Sequence, residues 1–355
     1  MLILRLLLFP FGILYGCAAW LRNKCFDRAL LPSEAYPLPV ISVGNLNMGG
    51  TGKTPHVEYL IRLLSDKYRL ATLSRGYRRK TRGFVLAGPE ASAESIGDEP
   101  MQYWRKFPNI TVAVCENRRE GIRQLLEMQP DLQVILLDDA FQHRFVRAGL
   151  SILLTDYHKP FNKDHIFPTG KLREFRAGYK RADIIVVTKT PKIFSPITRR
   201  AMTEEIKPLQ HQKLLFSYLK YNTPRPLDPF NMFPCKESYG TVLMVTGIAN
   251  PDPLEIHLKE SGFFNELETM IFPDHHYYTL KDVQRISQTF HNIVTRNKVL
   301  ITTEKDVMRL NDPELAALLE DIPVYYLPVE VDFHKTDKTV FDQVVNDYVR
   351  KNQRK

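Results

Sequence analysis

The residues best suited to chemistry lie in a glycine-rich segment between a predicted strand and a predicted helix, VGNLNMGGTGKTP at 43–55. Backbone N–H groups of such a loop can surround a phosphate, and the N-terminus of the following helix adds positive potential. We expect Lys53 to reach the β- and γ-phosphates of a nucleotide and Thr54 to ligate Mg²⁺. The predicted nucleotide-binding residues are Asn47, Met48, Gly49, Gly50, Thr51, Gly52, Lys53 and Thr54.

One position of this loop departs from the usual phosphate-loop pattern, GxxxxGK[ST]. Asn47 occupies the position of the first glycine. Asparagine enters left-handed backbone more readily than most residues, so we expect the loop to keep its shape. A chance glycine-rich turn is the alternative, but the intact GGTGKT core between a strand and a helix favours a phosphate site.

The acidic pair Asp138–Asp139 is a second candidate, because it ends the apolar run VILLDD at 134–139. In nucleotide-binding proteins with such a loop, an aspartate after a buried strand holds Mg²⁺, directly or through water. Solvated acids at a strand end would look the same in sequence, but the phosphate loop upstream favours the metal. The sequence leaves open which of the two carboxylates contacts Mg²⁺.

The choice of nucleotide depends on a segment that a guanine-specific protein would carry, [NT]KxD. Neither 188–191 (TKTP) nor 303–306 (TEKD) fits that pattern, so we predict ATP. A cargo-positioning ATPase with a modified phosphate loop is a rival class. Such loops have an additional early lysine, whereas residues 44–49 read GNLNMG.

Short apolar runs separated by helical stretches must position these residues. The strand candidates are 39–44, 69–73, 111–115, 133–138, 150–155 and 183–188, with helices such as 55–67 and 117–128 between them. Runs rich in Val, Ile and Leu are typical of parallel strands that are buried on both faces. The alternation predicts a doubly wound α/β/α domain of the P-loop NTPase type.

A change of composition near residue 221 predicts a second unit. The segment 221–235 holds four prolines, which disfavours a helix and indicates a linker. Strand candidates follow at 241–246, 298–303 and 323–327. We therefore divide the chain into an N-terminal helix at 1–30, a phosphate-loop domain at 31–222, a linker or hinge at 223–238 and a smaller C-terminal α/β/α domain at 239–350.

The N-terminal run LILRLLLFPFGILYGCAAWL at 2–21 carries a single charge, Arg5. About 20 helical residues can cross a bilayer core. A cleaved signal peptide and a buried helix are alternatives, but the length of the run and the basic residues after it favour a membrane-associated helix. Arg22, Lys24 and Arg28 predict that the rest of the chain lies in the cytoplasm. Whether 2–21 spans the bilayer or lies in one leaflet stays open.

Composition disfavours several other classes of protein. The 355-residue chain is 44% hydrophobic and 25% charged, as in ordinary folded proteins. Its net charge of +9 suits anionic partners such as phosphorylated ligands, anionic lipids or nucleic acid. The four cysteines form no CxxC pair, which argues against a zinc site or a disulfide scaffold. A nucleic-acid binder is disfavoured because aromatic–basic RNA-binding signatures are lacking and the phosphate loop would be unexplained.

Together, the N-terminal segment and several motifs resemble the tetraacyldisaccharide 4′-kinase family of lipid A biosynthesis. The motifs cover most of the chain and are VGNLNMGGTGKTP (43–55), LSRGYRRK (73–80), GDEP (97–100), LLDDAFQHR (136–144), PTGKLRE (168–174), VTGIANP (245–251), FPDHHYY (272–278) and TTEKDVMRL (302–310). Each fragment is weak alone, whereas their order and spacing are highly specific. Ala140 replaces the glycine usual in DDGFQHR, which affects the expected turn after the acidic pair more than the function.

The resemblance implies transfer of the ATP γ-phosphate to the 4′-hydroxyl of a tetraacyl glucosamine disaccharide 1-phosphate, with ATP and Mg²⁺ as cofactors. It also implies two α/β/α domains joined by a hinge. The expected partners are the lipid substrate and the surface of a bacterial inner membrane, with the catalytic domains in the cytoplasm. We predict no nucleic-acid partner and no obligate protein partner.

The resemblance further implies roles for single residues. Asp98 in GDEP matches the family's catalytic aspartate and is the predicted base for the substrate hydroxyl. Its neighbour Glu99 is expected near this base or linked to Mg²⁺. His275 in PDHHYY matches the histidine that works with the aspartate, and His276 stays the alternative because the two are adjacent. Asp274 is expected to orient this region.

Basic residues outside the loop are candidates for contact with phosphate or anionic lipid. The stretch 75–82, RGYRRKTR, has five basic residues in eight. Each such residue adds about 1 kcal/mol of attraction near an anionic surface, whereas the competing interpretation is a solvated loop. Arg118, Arg119 and Arg173 are further candidates for phosphate contact.

Overall fold

The computed structural model describes residues 2–227, 233, 235–274 and 276–353. The chain forms two compact units, the first from Met1–Leu219 with Val331–Lys355 and the second from Lys220–Glu330. The first 221 residues contain, in chain order, α1 Leu2–Asp27, β1 Val40–Asn45, α2 Lys53–Leu64, β2 Leu70–Ser74, β3 Val85–Leu86, α3 Ala93–Ile96, α4 Asp98–Lys106, β4 Thr111–Val114, α5 Arg118–Met128, β5 Val134–Asp138, β6 Leu150–Asp156, β7 Ile184–Thr188, α6 Pro196–Ile206 and β8 Lys213–Tyr221.

The remaining elements build the second unit and then return to the first. They are β9 Arg225–Pro226, β10 Tyr239–Thr246, α7 Asp252–Glu260, β11 Phe264–Ile271, α8 Leu280–Asn292, β12 Lys298–Thr303, α9 Glu304–Leu310, α10 Pro313–Ala316, β13 Val324–Leu327, β14 Val329–Phe333 and α11 Lys335–Lys351. The proline-rich segment predicted as a linker, 223–238, lies partly outside the described residues.

The first unit is built on a nine-stranded sheet in the order β14–β8–β7–β6–β1–β5–β2–β4–β3. The pairs from β8 through β1 to β4 are parallel, and β3 is antiparallel to β4. Because β5 and β6 flank β1 on opposite sides, the chain runs outward from β1 in both directions. Such a reversal opens a crevice at the carboxyl ends of the strands, where ligands bind in open α/β sheets.

Helices cover both faces of this sheet. Ile41 and Val43 of β1 lie in one apolar cluster with α2 and α11, while Val40 lies in another with α5. The predicted mixed α/β fold with a large parallel sheet is therefore confirmed. All six strands predicted before residue 190 are present, to within one residue at each end.

The C-terminal segment differs from the predicted domain division, in which 239–350 formed one unit. Strand β14 instead joins the first sheet beside β8, and α11 buries Phe341, Val345 and Val349 in the first unit's core. Strand–helix alternation continues without a break through this region. The sequence pattern therefore carries no sign that the chain returns to the first sheet.

The second unit has a five-stranded sheet in the order β11–β10–β12–β13–β9. Its pairs are parallel except for the antiparallel pair β13–β9. Helix α8 buries Val283, Ile286 and Phe290 against this sheet's core. The unit is thus a second, smaller α/β body.

Helix α1 lies on the segment that joins β6 to β7. A Cβ atom at Gly16 would lie 2.6 Å from the ring of Phe175, so the glycine permits this close approach. The helix leaves large apolar side chains exposed: Phe9, Phe11, Ile13, Leu14, Tyr15, Trp20 and Leu21. Among the described residues, no helix is both long enough and apolar enough to cross a membrane.

Candidate active site

The glycine-rich loop connects β1 to α2 at the carboxyl edge of the sheet. Its positive φ values belong to Gly49 (119°) and Gly52 (80°), not to Asn47. The expectation of left-handed backbone at Asn47 is therefore wrong. Asn47 instead forms a bridge with Leu172, and its side-chain amide donates to Asp164 Oδ2 at 2.8 Å. Pairing with a neighbouring segment holds this position where a glycine is usual.

Thr188 at the end of β7 and Lys189 directly after it hold the loop from the other side. The Thr188 hydroxyl donates to the Thr51 carbonyl at 2.9 Å, and the Lys189 ammonium donates to the Gly50 carbonyl at 2.5 Å. Lys189 also pairs with Asp156 at 2.8 Å. In sequence, residues 188–191 bear only on recognition of the nucleotide base. Its observed contacts are with the backbone of the loop.

His56 adds a third fastening, at the start of α2. This ring is buried, with Nδ1 2.7 Å from the Gly52 carbonyl and Nε2 3.0 Å from Ser217 Oγ. The two contacts tie the end of the loop to β8. Burial lowers the pKa of His56 to about 4, which keeps the ring neutral at physiological pH.

Lys53 faces the acidic pair, as its position in the loop predicts. Its ammonium lies 3.6 Å from Asp139 Oδ1. The same carboxylate accepts two hydrogen bonds from the Arg173 guanidinium, at 2.8 and 3.1 Å. Burial alone would raise the pKa of Asp139, but Lys53 and Arg173 outweigh it and hold the pKa below its usual range.

Asp138 has different surroundings from its neighbour. It pairs with Val43 in the sheet register and is 5% exposed. The buried Tyr103 hydroxyl donates to Asp138 Oδ2 at 3.0 Å. Burial raises the pKa of Asp138 to about 6, and the charge of Asp139 adds to the rise. Oδ1 is buried without a hydrogen-bond partner among the described residues.

Asp98, the predicted base, is the first residue of α4 and is 2% exposed. Gly97 precedes it with a φ of 94°. A Cβ atom at Gly97 would lie 3.2 Å from the Tyr77 carbonyl, so only glycine suits this turn. Glu99 follows and is half-buried, and its charge contributes to the raised pKa of Asp138.

Two basic residues of the stretch 75–82 form ion pairs with glutamates of the same unit. The Arg79 side chain is 2% exposed and pairs with Glu116 at 2.7 Å. Lys80 pairs with Glu94 at 2.6 Å. Tyr77 is 55% exposed. Arg79 is therefore buried in an ion pair, whereas Lys80, with 70% of its side chain exposed, stays a candidate for anion contact together with the other basic residues of the stretch.

Arg118 is buried at the start of α5 and donates to the Cys115 and Glu116 carbonyls at 2.9 and 3.2 Å. Burial lowers its pKa to about 10, while the two site aspartates act in the opposite direction. Arg118 is thus a buried cation close to the acidic pair. Arg119 lies next to it, with its guanidinium 5.1 Å from the ring centroid of Phe145.

The second unit carries the predicted histidine segment, and His275 itself lies outside the described residues. The ring of His276 stacks on Phe272 and its Nε2 lies 3.0 Å from Asp282 Oδ2. Asp274 accepts from the Lys305 ammonium at 3.2 Å. His276, the alternative candidate for the catalytic histidine, is therefore paired with Asp282 on α8.

The sheet, its phosphate-type loop after the first strand and the carboxylate pair on the adjacent strand are typical of a nucleotide-binding α/β protein. The family model for tetraacyldisaccharide-1-P 4′-kinase (LpxK) matches residues 4–350. The chain belongs to this family and is a kinase.

Named relatives and a solved structure agree with the family model. Tetraacyldisaccharide 4′-kinases from Bacteroides thetaiotaomicron and Flavobacterium johnsoniae are 44% and 45% identical, over 98% and 99% of this chain and 94% and 98% of theirs. A crystal structure of the Aquifex aeolicus protein in complex with ATP is 28% identical. It has a TM-score of 0.73 and covers 98% of this chain and 99% of its own.

Proposed function

We propose that this kinase transfers the γ-phosphate of ATP to the 4′-hydroxyl of a tetraacyl glucosamine disaccharide 1-phosphate, a lipid A precursor. The observation that carries this proposal is Lys53 beside the Asp138–Asp139 pair, at the end of a glycine-rich loop. Phosphoryl transfer depends mainly on positioning and on stabilising charge. Lys53 would neutralise charge on the phosphates, while the loop N–H groups would hold them.

The acidic pair suits Mg²⁺. A buried carboxylate oxygen without a hydrogen-bond partner, Asp138 Oδ1, is an available hard-oxygen ligand. Thr54 and Asp138 would hold the ion, with Asp139 and Glu99 beside them. No cluster of three or more His, Cys, Asp or Glu suited to a metal occurs within the described ranges. Mg²⁺ in kinases needs only one or two carboxylates besides substrate phosphates, and when bound it neutralises charge that develops on the transferred group.

Asp98 would accept the proton of the sugar hydroxyl as the phosphate is transferred. Its position at the N-terminus of α4 suits an ionised carboxylate, because the backbone N–H groups there carry partial positive charge. The family resemblance assigns the assisting role to His275, with His276 as the alternative. The contact between His276 and Asp282 favours His275 for that role.

The lipid would reach the site from a membrane surface, which for this family is the cytoplasmic side of the bacterial inner membrane. Helix α1 exposes its apolar face and contacts the site segment at the same time. The Tyr15 hydroxyl donates to the Arg173 carbonyl at 2.9 Å, and the Asn23 amide donates to Glu174 at 2.6 Å. A helix seated in one leaflet would thus hold the Arg173 segment near the lipid headgroups.

Replacing the predicted base separates chemistry from nucleotide binding. Asp98→Asn should lower the rate of phosphate transfer about 100-fold or more, because general-base assistance is lost. The affinity for a non-hydrolysable ATP analogue should stay close to that of the unchanged protein. Rapid-quench assays with saturating lipid would measure the rate, and Asp66→Asn at an exposed position is the matched control. A full rate in the Asp98 variant, or a collapse of ATP affinity alone, would remove Asp98 from the role of base.

A further inference from the structure

Tyr103 on α4 is a buried hydroxyl that reaches the acidic pair from a different element. Its side chain is fully buried, and its ring packs in the cluster formed by α2, the sheet and α11. The hydroxyl donates to Asp138 Oδ2 at 3.0 Å. A buried tyrosine hydroxyl usually finds such a partner, but here the partner is the carboxylate on which the cation site depends.

Helix α4 is itself fastened to the helix that follows the phosphate loop. Glu58 of α2 is fully buried. It accepts from the Gln102 amide at 2.7 Å and from the Lys106 ammonium at 2.7 Å. These two bonds lie on either side of Tyr103 in the chain. They hold α4 against α2, so the Tyr103 hydroxyl has a defined position relative to the loop.

The two carboxylates of the pair are consequently not equivalent. Both oxygens of Asp139 accept from the Arg173 guanidinium. Of the Asp138 oxygens, Oδ2 accepts from Tyr103, while Oδ1 is buried with no hydrogen-bond partner in the described part of the chain. Burial of a carboxylate oxygen without a hydrogen-bond partner costs free energy unless a bound ligand contacts that oxygen. Among these four oxygens, Asp138 Oδ1 is the one left for a cation.

We propose that Tyr103 is a positioning residue that orients Asp138 so that Oδ1 contacts Mg²⁺, which makes Asp138 rather than Asp139 the direct carboxylate ligand. This inference rests on the proposed function, in which the acidic pair serves Mg²⁺. Hydrogen bonds to metal ligands from outside the coordination sphere fix ligand orientation, and their loss costs about 10- to 100-fold in metal affinity. Tyr103 would act only through Asp138, without touching substrate.

The test is the affinity for Mn²⁺, a spectroscopic substitute for Mg²⁺, measured by electron paramagnetic resonance on the full chain with a saturating non-hydrolysable ATP analogue. Tyr103→Phe keeps the buried ring and removes the hydroxyl. We expect about 10-fold weaker Mn²⁺ binding with unchanged affinity for the analogue. Tyr59→Phe is the matched control, because the Tyr59 hydroxyl donates to Asp342 at 2.8 Å outside the site. That variant should bind Mn²⁺ as the unchanged protein does.

The variants Asp138→Asn and Asp139→Asn distinguish an error in the proposed cation site from an error in the role of Tyr103. If Asp138→Asn binds Mn²⁺ normally, the proposed cation site is wrong and the inference falls with it. If Asp138→Asn loses Mn²⁺ binding while Tyr103→Phe retains it, the inference alone is overturned. Equal weakening in Tyr103→Phe and Tyr59→Phe would also overturn it, because general loosening of the fold would then explain the effect. A larger loss in Asp139→Asn than in Asp138→Asn would contradict the assignment of the direct ligand.

Discussion

At the residue scale, the site distributes charge unevenly over two adjacent carboxylates. Lys53 and Arg173 face Asp139 and keep its pKa low, whereas burial raises that of Asp138 to about 6. Asp139 thus pairs with two protein cations, whereas Asp138 accepts one hydrogen bond from Tyr103 and keeps one oxygen without a partner among the described residues. This division gives the adjacent aspartates different tasks, with Asp139 pairing to protein cations and Asp138 available to a metal.

His143, near the acidic pair, makes stability depend on pH. Burial lowers its pKa to about 4, and nearby guanidinium groups act in the same direction; these belong to Arg118, Arg22, Arg119 and Arg75. In the unfolded chain the pKa of a histidine is about 6.5. At a pH between these two pKa values, the unfolded state binds more protons than the folded state. The contribution to the free energy of unfolding is therefore complete above about pH 6.5 and is lost as the pH falls toward about 4.

Replacing His143 should weaken the dependence of the free energy of unfolding on pH. His143→Gln should reduce the acid-induced loss of unfolding free energy by about 1–2 kcal/mol, because the ring is only partly buried and solvent screens part of the shift. Urea unfolding at neutral and acidic pH would measure it. His158→Gln, at an exposed position, should leave the slope unchanged. An unchanged slope in the His143 variant would contradict the burial of a neutral ring there.

Sequence could place Lys53 and the acidic pair at the same edge of the sheet, because the loop and the acidic pair each follow a predicted strand. It could not identify His56 or Tyr103, whose partners are distant in the chain. His56 meets Ser217 and Tyr103 meets Asp138 only after the sheet has formed. Buried polar residues on helices look like ordinary core or surface positions until their partners are known.

At the element scale, local sequence predicts the strands and the loop well. Each strand of the first sheet is a short run of Val, Ile and Leu, and burial on both faces requires such a run. The sheet against which α11 packs could not be predicted in this way. Its amphipathic pattern shows that one face is buried but not against which sheet, and therefore the division at 239–350 could not anticipate its return to the first core.

Helix α1 provides the prediction for membrane binding. Phe11 and Leu14 are 63% and 68% exposed, so replacing them should disturb the fold little. Changing both to Asp should weaken binding to anionic vesicles about 10-fold or more, because two large apolar side chains would no longer enter the lipid. Vesicle co-sedimentation would measure it. Ile193→Asp is the control, since Ile193 is 94% exposed and lies after β7, away from α1 in the chain.

The membrane result has two informative outcomes. If the double variant binds vesicles more weakly and Ile193→Asp does not, the lipid contact belongs to α1. Equal binding by the double variant and the unchanged protein would mean that another surface, such as the basic stretch 75–82, attaches the protein to lipid.

At the scale of the whole molecule, the chain leaves the first sheet after β8 and returns at β14, with the second unit between. The phosphate loop, the acidic pair and Asp98 all belong to the first unit. The histidine segment belongs to the second. A net charge of +9 suits the proposed function, in which the nucleotide, the lipid 1-phosphate and the membrane surface would all be anionic.

We propose above that this chain moves the γ-phosphate of ATP onto the 4′-hydroxyl of the lipid. The most direct measurement is incubation of the detergent-solubilised protein with γ-labelled ATP, Mg²⁺ and tetraacyldisaccharide 1-phosphate, followed by location of the label in the lipid. We predict label at the 4′ position, lowered about 100-fold or more in Lys53→Ala, where a cation on the transferred phosphate is lost. The exposed control Lys192→Ala should label normally. ATP hydrolysis without labelled lipid would show that the lipid is not the phosphate acceptor, and full labelling by Lys53→Ala would show that Lys53 does not act on the transferred phosphate.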